Sequence, residues 1–266
     1  MILEASGIGI SDYQELVEQV YLPGKRGTLQ VEMLAATRRY RRIPYVIQPR
    51  LESLIEELEA GRPVLVLQNL TPLSTPRWHY AVVIGFNRSK NQMILRSGSH
   101  YRLTVSAYRF AREWERAENW GFIALRPGEL PAGNDATRYL RAVSGFHNVG
   151  DTKAVKLAYA SSVKRWPEQE VGWIGLAEAQ HKEGNLPAAI DTLRRLSLAH
   201  PSSVAAFNNL ALLLRETGCL SQAQSALHKA LDMARAQGRF VQQVEDTRQK
   251  IENSTGSVDA IACTVN

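Results

Sequence analysis

The sequence predicts two folds in series, an α+β domain with an antiparallel sheet and then an all-α solenoid of helical repeats. In the N-terminal half, three helical patterns precede a series of short apolar segments. In the C-terminal half, a period of 34 residues runs through the chain. A segment rich in Pro and Gly, PGELPAGND at 127–135, separates the two halves. A length of 266 residues with 44% apolar content is enough for two such cores.

Three helices are predicted before the sheet. Ser11 and Gln14 form a capping-box pattern for a helix over 12–20. Apolar residues at helical spacing predict a second helix over 28–41. A third helix is expected to start at Pro49 and to stop at Gly61, because proline suits a first turn and glycine a C-terminal end.

Five strands are predicted to follow these helices. The segments 63–69 and 79–87 carry β-branched residues on both faces, so they are interpreted as central strands. The remaining strands are expected at 93–98, 101–106 and 120–127, with a helix at 107–117 before the last of them. Helices followed by an antiparallel sheet predict an α+β domain.

The first seven residues have the pattern of a helix end, since Gly7 suits the left-handed residue that follows a helix. An isolated helix needs about 12 residues to be stable. Two interpretations remain open. Either this is a frayed N-terminal turn, or the first turns of the helix are missing from the sequence.

The C-terminal half divides into three blocks of 34 residues, 136–169, 170–203 and 204–237. Each block has a glycine at one shared position and an aromatic residue near its start. The second and third blocks have alanine where two antiparallel helices would approach closely, and the first block has Val143 and Val155 there. The residues that share these positions are Gly150, Gly184 and Gly218; Tyr139, Trp173 and Phe207; Ala177 and Ala211; Ala189 and Ala223; and Tyr159, Leu193 and Leu227.

This pattern resembles tetratricopeptide repeats, and the segment AFNNLALLLRETG at 206–218 is a close match. The domain plan is therefore 1–128 for the α+β domain, 129–135 for the linker, 136–237 for three repeats, 238–254 for a capping helix and 255–266 for a disordered tail. The resemblance implies that a peptide or protein segment binds in the concave groove. The positions expected to face that groove are Leu140, Ser144, His147, Ile174, Glu178, His181, Asn208, Leu212 and Arg215. Of these, Asn208 and Arg215 are suited to hold a carboxylate.

Charge and hydropathy narrow the classes of function. The net charge is +6, and the one dense basic segment, RRYRR at 38–42, ends a predicted helix. Such a cluster is typical of a solvated helix terminus, so we expect no nucleic-acid partner. No apolar run approaches the ~18 residues of a membrane span, and MILEASGIGISDY has no signal-peptide pattern. These features leave the compartment unknown: cytoplasmic by default for the chain as given, and exported or periplasmic if the natural N-terminus is longer.

His79 is the candidate for chemistry, because it opens an apolar strand in PRWHYAVVIGF at 76–86. A hairpin loop centred near Ser89 would place His79 opposite residues 97–99, where Ser97 and Ser99 offer hydroxyl groups. An imidazole acts as a general base when an acceptor holds its second nitrogen, and a serine does this less well than a carboxylate. From the residues alone, His79 is either a base or a hydrogen-bonded structural histidine.

The N-terminal domain resembles the papain-like cysteine peptidases related to bacteriocin leader-processing peptidases. The similarity covers about residues 1–128 and rests on GTLQVEMLAATRRY, LIEELEAGRPVLVLQN, WHYAVVIGFN, ILRSG and WGFIALRP. It implies that His79 is the general base and that Ser97 occupies the place of the Asp or Asn that orients it. It implies no metal and no organic cofactor.

The nucleophile implied by this resemblance is a cysteine at the N-terminus of the first helix, with a glutamine as oxyanion partner shortly before it. Both positions would fall upstream of Met1, so the chain as given is expected to be inactive. Cys219 and Cys263, the only cysteines, are expected to form neither a disulfide framework nor a metal cluster, and neither is placed to attack. Two hypotheses follow: a peptidase-like protein whose repeats recruit a substrate, or a non-catalytic adaptor that binds a partner through its repeats.

Overall fold

The structure is a computed structural model that describes residues 1–25, 27–72, 74–147, 149, 151–253 and 263. The chain divides into two compact units, Met1–Asp151 and Thr152–Asn266.

The first unit contains helices and strands in the mixed order that the sequence predicts, which confirms the α+β class. Its helices are α1 (Ile2–Ala5), α2 (Tyr13–Val20), α3 (Gln30–Arg39), α4 (Leu51–Glu59), α5 (Ala107–Glu115) and α6 (Ala136–His147), with a 3₁₀ turn at Pro23–Lys25. Its strands are β1 (Ile43–Val46), β2 (Val64–Asn69), β3 (Trp78–Asn87), β4 (Gln92–Ser97), β5 (His100–Ser106) and β6 (Gly121–Leu125).

Six antiparallel strands form one sheet in the order β1-β6-β2-β3-β4-β5. The two central strands are β2 and β3, as their β-branched residues on both faces predict. The sequence did not reveal β1, a four-residue strand that contains Pro44 and pairs with β6 at the edge of the sheet. A short segment with proline is a weak strand signal, and an edge strand is where proline is tolerated.

The two faces of the sheet are covered by different helices. On one face, Ile2 and Leu3 of α1 pack with Leu65, Val82 and Phe122 of the sheet. On the other face, α4 packs against β2 and β3, and α5 packs against β2, β4 and β5. The side chains of β2 and β3 therefore alternate between two buried environments, and this alternation decides which helices each polar side chain can reach.

The N-terminal helix ends depart slightly from the prediction. Asp12, and not Ser11, caps α2, because its carboxylate accepts a hydrogen bond from the backbone N–H of Gln14 at 2.7 Å. Gly7 follows α1 with φ of +86°, the left-handed conformation that the sequence pattern indicates.

The second unit is a stack of helices with the predicted repeat geometry. Its helices are α7 (Thr152–Arg165), α8 (Glu170–Lys182), α9 (Leu186–Ala199), α10 (Val204–Glu216), α11 (Leu220–Gln237) and α12 (Val241–Glu252). Helix α8 packs on α9, α10 packs on α11, and α12 covers α11 and α10. Gly184 and Gly218 turn the chain with φ of +77° and +78°, while Gly150 lies outside the described residues. The small residues at shared positions, Ala177, Ala189, Ala211 and Ala223, are buried between helices.

Helix α6 lies in the first unit, where it packs against β1, and the division of the chain falls after Asp151 instead of in the 129–135 linker. Tyr139 and Phe146 of this helix are buried. An apolar helical stripe can pack against a sheet or against a second helix, so periodicity alone does not predict which of the two α6 contacts. That 136–169 forms a first repeat stays a prediction from the sequence.

The two cysteines form a disulfide, which corrects the expectation that they form no such bond. Cys219 immediately precedes α11, Cys263 lies 44 residues further on, and their Cα atoms are 5.5 Å apart. The side-chain amide of Gln222 donates a hydrogen bond to the carbonyl of Cys263 at 2.7 Å. Two cysteines so far apart in sequence give no spacing signal, and only the fold brings them together. The expectation of a disordered tail over 255–266 lies, apart from Cys263, outside the described residues.

Candidate functional site

The fold brings His79 and Ser97 into contact at one end of the β3–β4 hairpin. His79 is the second residue of β3, and Ser97 is the last residue of β4. The Nε2 atom of His79 lies 2.7 Å from the Oγ atom of Ser97. The antiparallel register puts both side chains on the same face of the sheet, as counting from the hairpin loop predicts.

This hydrogen bond leaves one imidazole nitrogen available. Within the described residues, Ser97 is the hydrogen-bond partner of the ring through Nε2, so Nδ1 remains as the atom that could accept a proton. A serine hydroxyl both donates and accepts, so it is compatible with either tautomer. Ser97 therefore fixes the position of the ring without selecting the tautomer that a base requires.

The surroundings of His79 favour the neutral imidazole. Burial lowers the pKa of His79 below its ordinary 6.5, the nearby charge of Arg77 lowers it further, and Glu113 opposes both effects. A neutral ring at pH 7 is the form that can take up a proton. The electrostatics of the site thus suit a general base better than an acid.

A buried carboxylate lies behind this site. Gln68 stands directly opposite His79 in the β2–β3 register, and its amide Nε2 donates to Oε2 of Glu113 on α5 at 3.1 Å. Arg109 donates through Nε to the other carboxylate oxygen at 2.8 Å. Glu113 is 7% exposed and Gln68 is 3% exposed. Sequence reasoning missed Glu113, although Gln68-Asn69 at the end of an apolar strand signals a polar cluster there.

A cleft of about 950 Å³ opens beside His79. The segment before α3 forms part of its wall and is tied to β3, because the hydroxyl of Tyr80 donates to the carbonyl of Thr28 at 3.2 Å. Burial raises the pKa of Tyr80 to about 12, so this hydroxyl stays a donor at neutral pH. The lining residues are Gly27, Thr28, Leu29, Gln30, Leu67, Pro76, Arg77, Trp78, His79, Tyr80, Ala117 and Glu118.

The loop that leads into His79 is held by Asn69, which is fully buried. Its Oδ1 atom accepts from the backbone N–H of Arg77 at 2.9 Å and from that of Thr71 at 3.3 Å. These bonds tie together the two ends of the β2–β3 connection. The start of β3, and hence the position of His79, is therefore fixed from both sides.

The second unit has a groove of about 650 Å³ formed by α8 and α10, with Leu193 of α9 also lining it. Five of the positions predicted to face a groove line it: Ile174, Glu178, His181, Leu212 and Arg215. Asn208 does not, because it is buried, and the neighbouring Asn209 lines the groove instead. The ring of His181 lies 2.8 Å from the carboxylate of Glu216 across the groove. Leu140, Ser144 and His147 belong to α6 in the first unit.

The described residues contain no group of three His, Cys, Asp or Glu side chains arranged to hold a metal ion. No helix in the described parts of the chain has the length and apolar character required to cross a membrane. Both cysteines of the sequence are in the disulfide, so neither is a free thiol.

Comparison with known proteins finds a family profile that matches part of the first unit. The sequence profile of the Peptidase_C39 like family matches residues 11–121, which includes α2 to the start of β6 and both His79 and Ser97. No curated protein sequence matches the chain.

Solved structures that resemble the chain contain helical repeats. The TPR2B-domain:pHsp70 complex of yeast Sti1 shares 20% identity over 44% of this chain and 95% of that chain, with a TM-score of 0.41. MamA from Desulfovibrio magneticus RS-1 shares 18% identity over 57% of this chain and 86% of that chain, with a TM-score of 0.34. At these low scores, the repeats are identified by the 34-residue period and the paired helices of the chain itself.

Proposed function

Because the chain joins a Peptidase_C39-like domain to tetratricopeptide-like repeats, we propose that it is a thiol-peptidase-like protein that binds peptide segments and does not itself cleave them. In this proposal, His79 is the base half of a thiol–imidazole site. The observation that carries it is the 2.7 Å contact between His79 and Ser97 beside a large cleft, in a chain whose two cysteines are bonded to each other.

The chemistry of such a site needs a thiol and a base together. The imidazole Nδ1 would take the proton of the thiol, and the thiolate would attack the peptide carbonyl carbon. The same proton would then pass to the amine that leaves when the C–N bond breaks, and water would release the acyl group as an acid. His79 can perform the proton transfers, but the bonded Cys219 and Cys263 cannot supply the thiolate.

Hydrolysis of a fluorogenic casein substrate and labelling with biotinylated iodoacetamide test this proposal. We expect the chain to show neither turnover nor labelling that depends on His79, with or without a reductant. Reduction exposes two thiols that can label, so the decisive comparison is with the variant His79→Ala and its control His100→Ala, an exposed histidine. Turnover or labelling that disappears only in His79→Ala would overturn the claim that the chain supplies no nucleophile.

A second candidate function is recruitment of a peptide by the repeats alone. It is favoured by the groove on α8 and α10, where apolar Ile174 and Leu212 lie beside the charged Glu178 and Arg215. A groove that combines apolar area with charges of both signs suits an extended peptide with mixed side chains.

Peptide binding tests this second function. Fluorescence anisotropy with a pool of labelled, unstructured dodecapeptides should select binders whose affinity falls about tenfold in Leu212→Ala, because a buried leucine contributes about 1.5 kcal/mol or more. Leu198→Ala is the matched control, because Leu198 is 81% exposed on α9 and does not line the groove. An equal effect of the two variants, or an absence of binders, would contradict groove binding.

A further inference from the structure

The direct hydrogen-bond partner of His79 carries no charge, although a base of this kind needs a negative charge near the ring. When His79 takes a proton, it becomes an imidazolium in a half-buried position. A carboxylate beside the ring would stabilise that charge, whereas the hydroxyl of Ser97 carries no charge and offers only a dipole. The question is whether another side chain supplies the negative charge.

Glu113 meets the geometric requirements. It projects from α5 toward the sheet face that carries His79, since its carboxylate binds Gln68, and Gln68 is the direct cross-strand neighbour of His79. Directly opposite residues have Cβ atoms about 5 Å apart, so the carboxylate lies one side chain away from the imidazole. The carboxylate is held at both oxygens, by Gln68 at 3.1 Å and by Arg109 at 2.8 Å.

Burial makes this charge effective. Glu113 is 7% exposed, and a charge in such an environment is screened less than one at the surface. Its counter-ion Arg109 has a side chain that is 65% exposed, so water screens the opposing charge more strongly. The pair therefore leaves a net negative potential on the buried side, toward Gln68 and His79.

We infer that Glu113 is a positioning residue that acts through Gln68 and stabilises the protonated form of His79, in place of a carboxylate at position 97. The inference rests on the proposed role of His79 as a base. It gives Gln68 a specific task, because its amide must point its N–H toward Glu113 and so has a fixed orientation beside the imidazole. It also gives the buried carboxylate of Glu113 a role in the site.

The other charged groups near His79 do not replace Glu113. Arg77, which comes just before β3, carries a positive charge that disfavours the imidazolium. Arg109 is paired with Glu113, and Glu118 lies exposed on the wall of the cleft, where water screens it. Among the charged groups near the ring, Glu113 opposes the effect of burial on the pKa of His79.

Titration of His79 by NMR in the full chain tests the inference without any need for catalysis. The resonance is assigned by its loss in His79→Gln. We expect the midpoint of His79 to fall by about 0.5 pH unit in Glu113→Gln, which keeps the shape and removes the charge. Glu115→Gln, a change of the same kind at an exposed position on the same helix, should leave the midpoint unchanged. Glu113→Asp, which keeps the charge, should restore most of the wild-type midpoint.

A second pair of variants keeps the test informative if Glu113→Gln does not fold. Arg109→Gln removes the counter-ion of Glu113 and should raise the midpoint of His79, while Arg112→Gln, another exposed arginine of α5, should raise it less. Equal midpoints in wild type and Glu113→Gln, or equal effects of Arg109→Gln and Arg112→Gln, would overturn the inference. A positive titration result combined with turnover or labelling that disappears only in His79→Ala would instead leave the inference intact and refute the proposed function.

Discussion

At the scale of single residues, the site is built from the imidazole of His79, the hydroxyl of Ser97 and the environment that keeps the ring neutral. Burial and Arg77 lower the pKa of His79, and the hydroxyl contributes position without charge. Replacing the hydroxyl of Ser97 by a carboxylate adds a charge beside the ring and so separates the effect of position from the effect of charge.

The variant Ser97→Asp should raise the pKa of His79 by about 1 pH unit, because a carboxylate close to the ring favours the imidazolium. Histidine titration by NMR measures the change, with Ser99→Asp as the neighbouring control. A midpoint that does not move would mean that the side chain at position 97 does not face the ring in solution.

Stability should also depend on the protonation of His79. Its pKa in the folded state is lowered from 6.5, so the unfolded chain binds the proton more readily. The contribution of His79 to the free energy of unfolding is therefore fully present above pH 6.5 and is lost as pH falls through the folded-state pKa. Urea unfolding of wild type and His79→Gln from pH 8 to pH 5 should show a difference that declines toward acid pH. A difference that grows toward acid pH would contradict the lowered pKa.

Sequence reasoning reached the His79–Ser97 contact because a hairpin with a short turn fixes which residues face each other. It did not reach Glu113, because the contact with Gln68 joins positions 45 residues apart and depends on how α5 packs on the sheet. Local patterns determine cross-strand neighbours, whereas the side chain that covers a strand from a helix depends on tertiary packing.

At the scale of elements, close helix packing in the second unit depends on a glycine. Gly175 of α8 faces the buried ring of Tyr159 on α7, and a Cβ atom at Gly175 would lie 2.4 Å from that ring. Gly175→Ala should lower the free energy of unfolding by about 1–3 kcal/mol, in spite of the better helix propensity of alanine. Chemical denaturation measures the loss.

Gly145→Ala is the helical control for this prediction. A Cβ atom there would meet the end of the Arg38 side chain, which is flexible and can move aside. The free energy of unfolding of Gly145→Ala should lie within about 0.5 kcal/mol of that of wild type or slightly above it. A neutral Gly175→Ala would show that α7 and α8 do not approach this closely.

The disulfide between Cys219 and Cys263 also stabilises helices of the second unit. Cross-linking Cys219 to Cys263 closes a loop of 44 residues around α11 and α12, which stabilises the fold by about 4 kcal/mol at most in the chain-entropy description. Under oxidising conditions, Cys263→Ser should lower the free energy of unfolding by much of this amount. A reductant should lower the free energy of unfolding of wild type to that of the variant, and it should leave the variant unchanged. A variant as stable as oxidised wild type would contradict a bond that contributes to the fold.

Prediction of the elements succeeded where the periodic pattern is long and failed where it is short or ambiguous. The 34-residue period located α8 to α11, and the β-branched runs located β2 and β3. The four-residue β1 has too little pattern to detect, and α6 shows the same apolar stripe whether it packs on a sheet or on a helix.

At the scale of the whole molecule, the chain combines a unit with a candidate base and cleft and a unit with a peptide-sized groove. Each unit has a buried core of its own.

The central claim is that His79 forms the base half of a thiol–imidazole site, and supplying the thiol tests it most directly. The chain is extended before Met1 by a helical segment that begins Cys-Gly-Pro. A series of such variants has 6 to 12 residues between this motif and Met1. At least one spacing would place the new cysteine near the imidazole. Alkylation with iodoacetamide between pH 4 and pH 10 then reports the pKa of that thiol. We expect one register to give a pKa below about 7.5 that returns to about 8.5 in His79→Ala. A thiol that titrates near 8.5 in every register, whether or not His79 is present, would contradict the claim.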